Sequence, residues 1–266
     1  MVKGVILDLD GTVYLGERII PGAERAVARL RESGMAVLFL SNKTIEDPAN
    51  YAAKLTRLGI PAGADAVLNS TVMTAAYLKA HSPGARVFIL GEEPLRRAVL
   101  NAGMEEAERP SQTDVVLVSL DRGMTYDKIH FAYHAARHGA RVLATNPDMI
   151  CPMDGESLVD AGAWIAALEA LLARPIDDVL GKPSARTAET ACARLGLETH
   201  EAAMVGDRLE TDILMGRNAG MVTALVLTGV TDRKRVAAST IEPDHVLDSL
   251  ADLPAALGIA EERRVG

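Results

Sequence analysis

The sequence predicts an α/β protein: a parallel sheet covered by helices, interrupted by an inserted second α/β segment. Three observations point to this. Short apolar runs alternate with amphipathic helical stretches from the first residues onward, and several of the runs end in small polar residues. The alternation breaks at His81-Ser82-Pro83-Gly84 and resumes after Gly181-Lys182-Pro183.

The first strand is the apolar run from Val5 that ends in two carboxylates one residue apart, Asp8-Leu9-Asp10, followed at once by Gly11-Thr12. From Pro21 to Ser33, Ala23, Ala26, Val27 and Leu30 recur at the spacing of one helix face, and Gly34 stops the helix. A second strand, Ala36 to Leu40, ends in Ser41-Asn42-Lys43-Thr44; the next helix runs from about Pro48 to Leu58 and stops at Gly59. Val67-Leu68 leads through Asn69-Ser70-Thr71 into another helix. Beyond the break, strands at 87–90, 115–119 and 142–144 alternate with helices at 93–101 and 126–138, and a helix at 161–172 precedes a strand at 176–180. A helix near 184–195, a strand at 202–205, Gly206-Asp207, a helix to Ala219, a strand at 223–227 and Val246-Leu247 complete the chain. The domains predicted are therefore 1–82 and 180–266 for one doubly wound core, with 83–179 as the insert.

Composition excludes several classes. The formal charge of −8 argues against a general nucleic-acid binder, because non-specific affinity for polyanions comes from lysine and arginine on phosphates; short clusters such as Arg233-Lys234-Arg235 and Arg263-Arg264 read as solvated surface. No basic stretch followed by an apolar one opens the sequence, and its most apolar segment, 161–173, is interrupted by Glu169, so a cytoplasmic protein without membrane insertion is expected. Cys151 and Cys192 lie apart without metal-ligand spacing and read as reduced packing residues. His130, His134 and His138 fall on one helix side, partly exposed.

Chemistry concentrates at Asp8 and Asp10. Side chains alternate faces along a strand, so these carboxylates point the same way at the strand end, where open α/β sheets place their ligands. Two like charges about 4 Å apart repel by roughly 1 kcal/mol in water and roughly 4 kcal/mol at an effective dielectric near 20, so the pair calls for a cation or a shared proton. A calcium loop is excluded because Val13, Tyr14 and Leu15 offer no oxygen ligands where one needs them.

Four strand-end motifs stand in order: Asp8-x-Asp10-Gly11-Thr12, Ser41-Asn42, Gly181-Lys182-Pro183, and Gly206-Asp207-Arg208-Leu209-Glu210-Thr211-Asp212. In order and residue type they resemble the haloacid dehalogenase superfamily, whose members are mostly magnesium-dependent phosphatases. Leu120-Asp121-Arg122, Thr125-Tyr126, Ala144-Thr145-Asn146-Pro147-Asp148 and Gly155 are similar to the NagD-like, p-nitrophenyl phosphatase-like branch with its C2-type cap. Only residues 13–40 separate the first two motifs, barely a βα unit, whereas residues 43–180 separate the second and third, so the cap lies in the second gap and a phosphomutase is not expected.

The resemblance implies that Asp8 is the nucleophile and Asp10 the acid and then base. It implies that Asp8, the backbone carbonyl of Asp10, Asp207 and Asp212 hold Mg2+, and that Ser41, Asn42, Lys182, Gly11 and Thr12 surround the phosphoryl group. Asn146 and Asp148 either form a proline turn or reach the substrate from the cap, and Lys43, where relatives often carry asparagine, adds positive charge at the rim. The cap is expected to close over the ester and exclude water. The implied activity is hydrolysis of a small phosphate ester, with dimerisation common among similar proteins. The alternatives are a non-catalytic phosphometabolite-binding regulator on the same fold, and a dinucleotide-dependent oxidoreductase, against which stands the single Gly11 after the first strand.

Overall fold

Apolar strands buried on both faces determine the architecture of each of two compact units, one comprising residues 1–41, 48–68 and 185–266, the other residues 42–47 and 69–184. The computed structural model describes residues 1–152 and 157–259. Gly155 and the Arg263-Arg264 pair lie outside them.

The first unit is built on a six-stranded sheet in the order His245–Leu247, Val222–Val226, Ala202–Gly206, Gly4–Asp8, Ala36–Ser41, Val67–Asn69. Gly4–Asp8 is buried throughout and pairs in parallel with both neighbours, Leu7 opposite Val205 on one side and Asp8 opposite Leu40 on the other. This is the position where an unbroken apolar run belongs, since parallel strands are covered on both faces. Its odd-numbered residues Val5 and Leu7 pack with Phe39, Val205, Ala224 and the Ala23, Ala26, Val27 and Leu30 stripe of the Ala23–Glu32 helix. The register also sets the ends of three adjacent strands side by side, so Asp8, Ser41 and Asp207 stand together along one carboxyl edge of the sheet.

The second unit has its own parallel sheet, in the order Asp178–Val179, Arg141–Ala144, Val115–Val118, Arg86–Leu90, Glu105–Glu106. Alternation along Val115–Val118 divides two cores. Val116 and Val118 face the Tyr126–Arg137 and Ala161–Leu172 helices, while Val115 and Leu117 face Leu78, Leu95 and Val99 of the Ser70–His81 and Glu93–Asn101 helices. Asn69 and Thr125 cap two of these helices, accepting from the backbone N–H of Val72 and Lys128. The unit is wider than residues 83–179, because the helix ending at His81 buries Leu78 against this sheet, and 180–184 remain with it through Leu180.

Several elements differ from the sequence reading in extent. The strand near 176–180 is only Asp178–Val179. Two hairpins, Tyr14–Leu15 with Arg18–Ile19 and Ile150–Pro152 with Ser157–Val159, are too short to show periodicity, and Arg233-Lys234-Arg235 begins a helix, Arg233–Ala238, behind the Asp232 cap. Cys151 and Cys192 are both buried and not joined in a disulfide. His130 and His138 are exposed, with His134 half-buried between them. Among the described residues, no helix is long and apolar enough to cross a membrane.

Leu30 is fully buried and Arg25, on the same helix, is exposed. Leu30→Ala is expected to cost about 2–5 kcal/mol in urea denaturation followed by circular dichroism, and Arg25→Ala less than about 0.5 kcal/mol.

Candidate active site

Immediately after the first strand the chain makes a single tight turn. The Leu9 carbonyl accepts from the N–H groups of Thr12, Val13 and Tyr14 at 3.3, 2.9 and 3.2 Å, and Gly11 donates to Tyr14 O at 2.8 Å. Gly11 sits at φ +89°, which L side chains rarely adopt, and a Cβ there would also lie 2.6 Å from Asp207 Oδ2. Thr12, fully buried, donates from Oγ1 to Asp8 Oδ2 at 3.4 Å. Thr228 Oγ1 donates to the Gly11 carbonyl at 2.5 Å, tying the turn to the loop after Val222–Val226.

Asp207 follows the neighbouring strand directly. Its Oδ2 accepts from Val230 N at 2.6 Å, and its carbonyl accepts from Thr231 N at 3.2 Å. Asp212 is brought back by a π-helical turn, Leu209–Ile213, in which both Asp212 N and Ile213 N donate to Arg208 O. Such turns often occur at functional sites. The Asp212 carboxylate in turn accepts from Arg208 N at 3.1 Å. Gly206 and Gly229 complete the enclosure: a Cβ at Gly206 would overlap the Asp212 carboxylate, and one at Gly229 that of Asp207.

The outcome is that Asp8, Asp207 and Asp212 each offer a carboxylate oxygen within 4.8 Å of the others, and all three are buried, at 8, 1 and 1% exposure. Burial is the main reason the Asp207 carboxyl is pushed up from 3.8 to about 8; the charges of Asp8 and Asp212 add to it, and the Val230 N–H and Arg208 oppose it. Three buried carboxyl groups in such proximity are the donor set of a hard divalent cation, which takes oxygen ligands and neutralises them. Asp10 is half-buried, and its carboxylate is not one of the three. Ser41 is buried at its strand end.

The second unit gathers the other predicted residues around Asn42. Its Oδ1 accepts from Lys182 N at 3.0 Å and from Ser70 Oγ at 3.3 Å, and its Nδ2 donates to Lys182 O at 3.2 Å and to Asp148 Oδ2 at 2.9 Å. Asn146 Nδ2 donates to the Asn42 carbonyl at 3.0 Å. Lys182 is 2% exposed, whereas Lys43 is half-buried. Thr228, Gly229, Val230, Thr231 and Ser70 were not singled out by the sequence. The signal was present in Thr228 to Thr231, small residues again following an apolar strand.

A haloacid dehalogenase-like hydrolase model matches residues 5–105, and a second model of HAD-like hydrolases matches 179–253. The sugar-phosphatase AraL of Bacillus subtilis is 39% identical over 250 residues, covering 94% of this chain and 91% of its own. Among solved structures, a p-nitrophenyl phosphatase from Archaeoglobus fulgidus superposes with a TM-score of 0.88 at 33% identity, covering 96% of this chain and 99% of that one. NagD from E. coli K-12 gives 0.86 at 28% identity, covering 95% and 98%. The chain belongs to the haloacid dehalogenase superfamily of hydrolases, in its NagD-like branch.

The raised Asp207 carboxyl sets a pH dependence. Its proton favours the folded protein, so that contribution is complete below the unfolded value of 3.8 and is lost as pH rises through about 8. In chelator, the melting temperature of Asp207→Asn is expected to gain on that of wild type across this range, and Mg2+ at pH 8 to raise wild type more than the variant. A difference independent of pH in scanning fluorimetry would contradict this.

Proposed function

We propose that this phosphatase hydrolyses a small organic phosphate monoester, a sugar phosphate in the first instance, with Mg2+ and through an aspartyl phosphate on Asp8. The observation that supports the reading most is the buried group of Asp8, Asp207 and Asp212. The substrate class follows the Bacillus subtilis relative, named a sugar-phosphatase, and p-nitrophenyl phosphate serves as the artificial substrate by likeness to the Archaeoglobus fulgidus enzyme. Asp8, Asp207 and Asp212, with the backbone carbonyl of Asp10, would hold Mg2+, which when bound supplies positive charge against the acids and the phosphoryl oxygens.

In the first half-reaction an Asp8 carboxylate oxygen attacks phosphorus and the bond from phosphorus to the ester oxygen breaks. Asp10, protonated, gives its proton to that leaving oxygen, and the alcohol departs. In the second half-reaction Asp10, now a carboxylate, takes a proton from water as the water oxygen attacks phosphorus. The acyl phosphate bond breaks, Asp8 is regenerated and inorganic phosphate leaves with Asp10 protonated again. Lys182 and Ser41, with backbone amides around Asn42, Gly11 and Thr12, bind the phosphoryl oxygens, where charge is spread in a loose transition state. A cytoplasmic enzyme accords with two buried cysteines that form no disulfide.

Asp8→Asn is expected to lower kcat for p-nitrophenyl phosphate by on the order of 10³-fold or more while circular dichroism stays unchanged. Near-wild-type turnover would remove Asp8 from the nucleophile's role. Excess chelator is expected to abolish phosphate release and added Mg2+ to restore it. A phosphate-release screen across sugar phosphates and nucleotides then ranks substrates by kcat/KM, and a ranking headed by nucleotides would overturn the sugar-phosphate assignment.

A further inference from the structure

The Asn42 amide has four hydrogen-bonding positions, two N–H donors and two acceptor lone pairs on Oδ1. All four are occupied by protein: Lys182 N and Ser70 Oγ on Oδ1, Lys182 O and Asp148 Oδ2 on Nδ2, at 3.0, 3.3, 3.2 and 2.9 Å. The orientation is unambiguous, because a flipped amide would set its N–H groups against the Lys182 N–H and its oxygen against the Lys182 carbonyl. Asn42 is only 8% exposed and Lys182 2%, so the bonds to Lys182 and Ser70 lie out of water, where losing a partner is costly, and the bond to Asp148 is part-buried.

Two of these bonds grip one residue from both sides, as a neighbouring strand would, and fix the backbone from which the Lys182 side chain springs. The third and fourth fasten Asp148 and the start of the Ser70–His81 helix, and the Asn42 carbonyl holds Asn146. Gly181 allows the approach: a Cβ there would lie 2.7 Å from both Asn42 Oδ1 and Ser70 Oγ.

We infer that the Asn42 side chain is a positioning residue, locking the Lys182 and Asn146-Pro147-Asp148 loops to one another, and is not itself a ligand of the substrate. The inference rests on the phosphate-binding role proposed for Lys182. It also gives Asp148 and Asn146 a place in the same clamp, through the bonds each makes to Asn42. Asn42→Asp is the sharpest change, being nearly isosteric. It removes both donors, leaves the Lys182 carbonyl and Asp148 without those partners, and sets a second carboxylate against that of Asp148.

The test measures kcat and KM for p-nitrophenyl phosphate with Mg2+ in wild type, Asn42→Asp, Lys182→Ala and the double variant. Asn42→Asp alone is expected to lower kcat by on the order of 10- to 100-fold, more than it raises KM, as small misplacements of catalytic groups do. In the Lys182→Ala background the same change is expected to cost less than about threefold further, because the group it positions is gone. Equal fold-losses in both backgrounds, with Lys182→Ala itself impaired, would overturn the positioning role alone. An unimpaired Lys182→Ala would overturn the phosphate-binding role and this inference with it. If thermal unfolding shows that Asn42→Asp does not fold, Asn42→Ala takes its place in the cycle under the same criteria.

Discussion

Everything local to the acidic edge of the sheet depends on one electrostatic constraint: three buried residues each hold a carboxylate oxygen within 4.8 Å of the others. Like charges at such range in a poorly polarisable setting destabilise the fold unless a proton or a cation intervenes. The surrounding chain accommodates that arrangement. Strand register brings Asp8 and Asp207 together, a π-helical turn returns Asp212, and glycines at 11, 206 and 229 stand where any larger residue would press on the acids. The backbone N–H of Val230 is aimed at Asp207 Oδ2, a partial compensation with no net charge of its own.

The second unit meets a different demand by similar means. There a buried lysine must be held in place, and hydrogen bonds from one saturated amide do the holding. Small residues again make the approach possible, with Gly181 against Asn42 and Ser70. Asp121, 3% exposed, shows the related solution for an acid, accepting from Gly123 N at 2.8 Å and from Lys128 Nζ at 2.7 Å.

The central strands were legible because Gly4–Asp8 and Ala202–Gly206 are unbroken apolar runs with an acid at or just beyond the end, a pattern that both burial and function impose. Asp212 was readable only through resemblance, since its position depends on a π-helical turn that no periodicity announces. The loop carrying Val230 escaped notice because its contribution is a backbone N–H, which any residue but proline supplies. The extent of the second unit was hidden for another reason. The Ser70–His81 helix buries polar Ser70, Thr71 and Thr74 as well as Leu78, so no apolar stripe tells which sheet it covers. Asn42 was visible as a strand-end residue, but its role lies in partners far along the chain, at 146, 148 and 182.

The parallel pairing of Gly4–Asp8 with Ala202–Gly206 has a consequence for biosynthesis. The Ala36–Ser41 partner emerges from the ribosome early, but the opposite side of the first strand stays open until some 200 residues have been made, on the order of 10–40 s at ordinary elongation rates. During that interval one side of a largely apolar strand presents unpaired backbone, the kind of edge on which nascent chains associate wrongly. The stretch of polypeptide that carries Asp8 is thus also one that a chaperone would shield during synthesis.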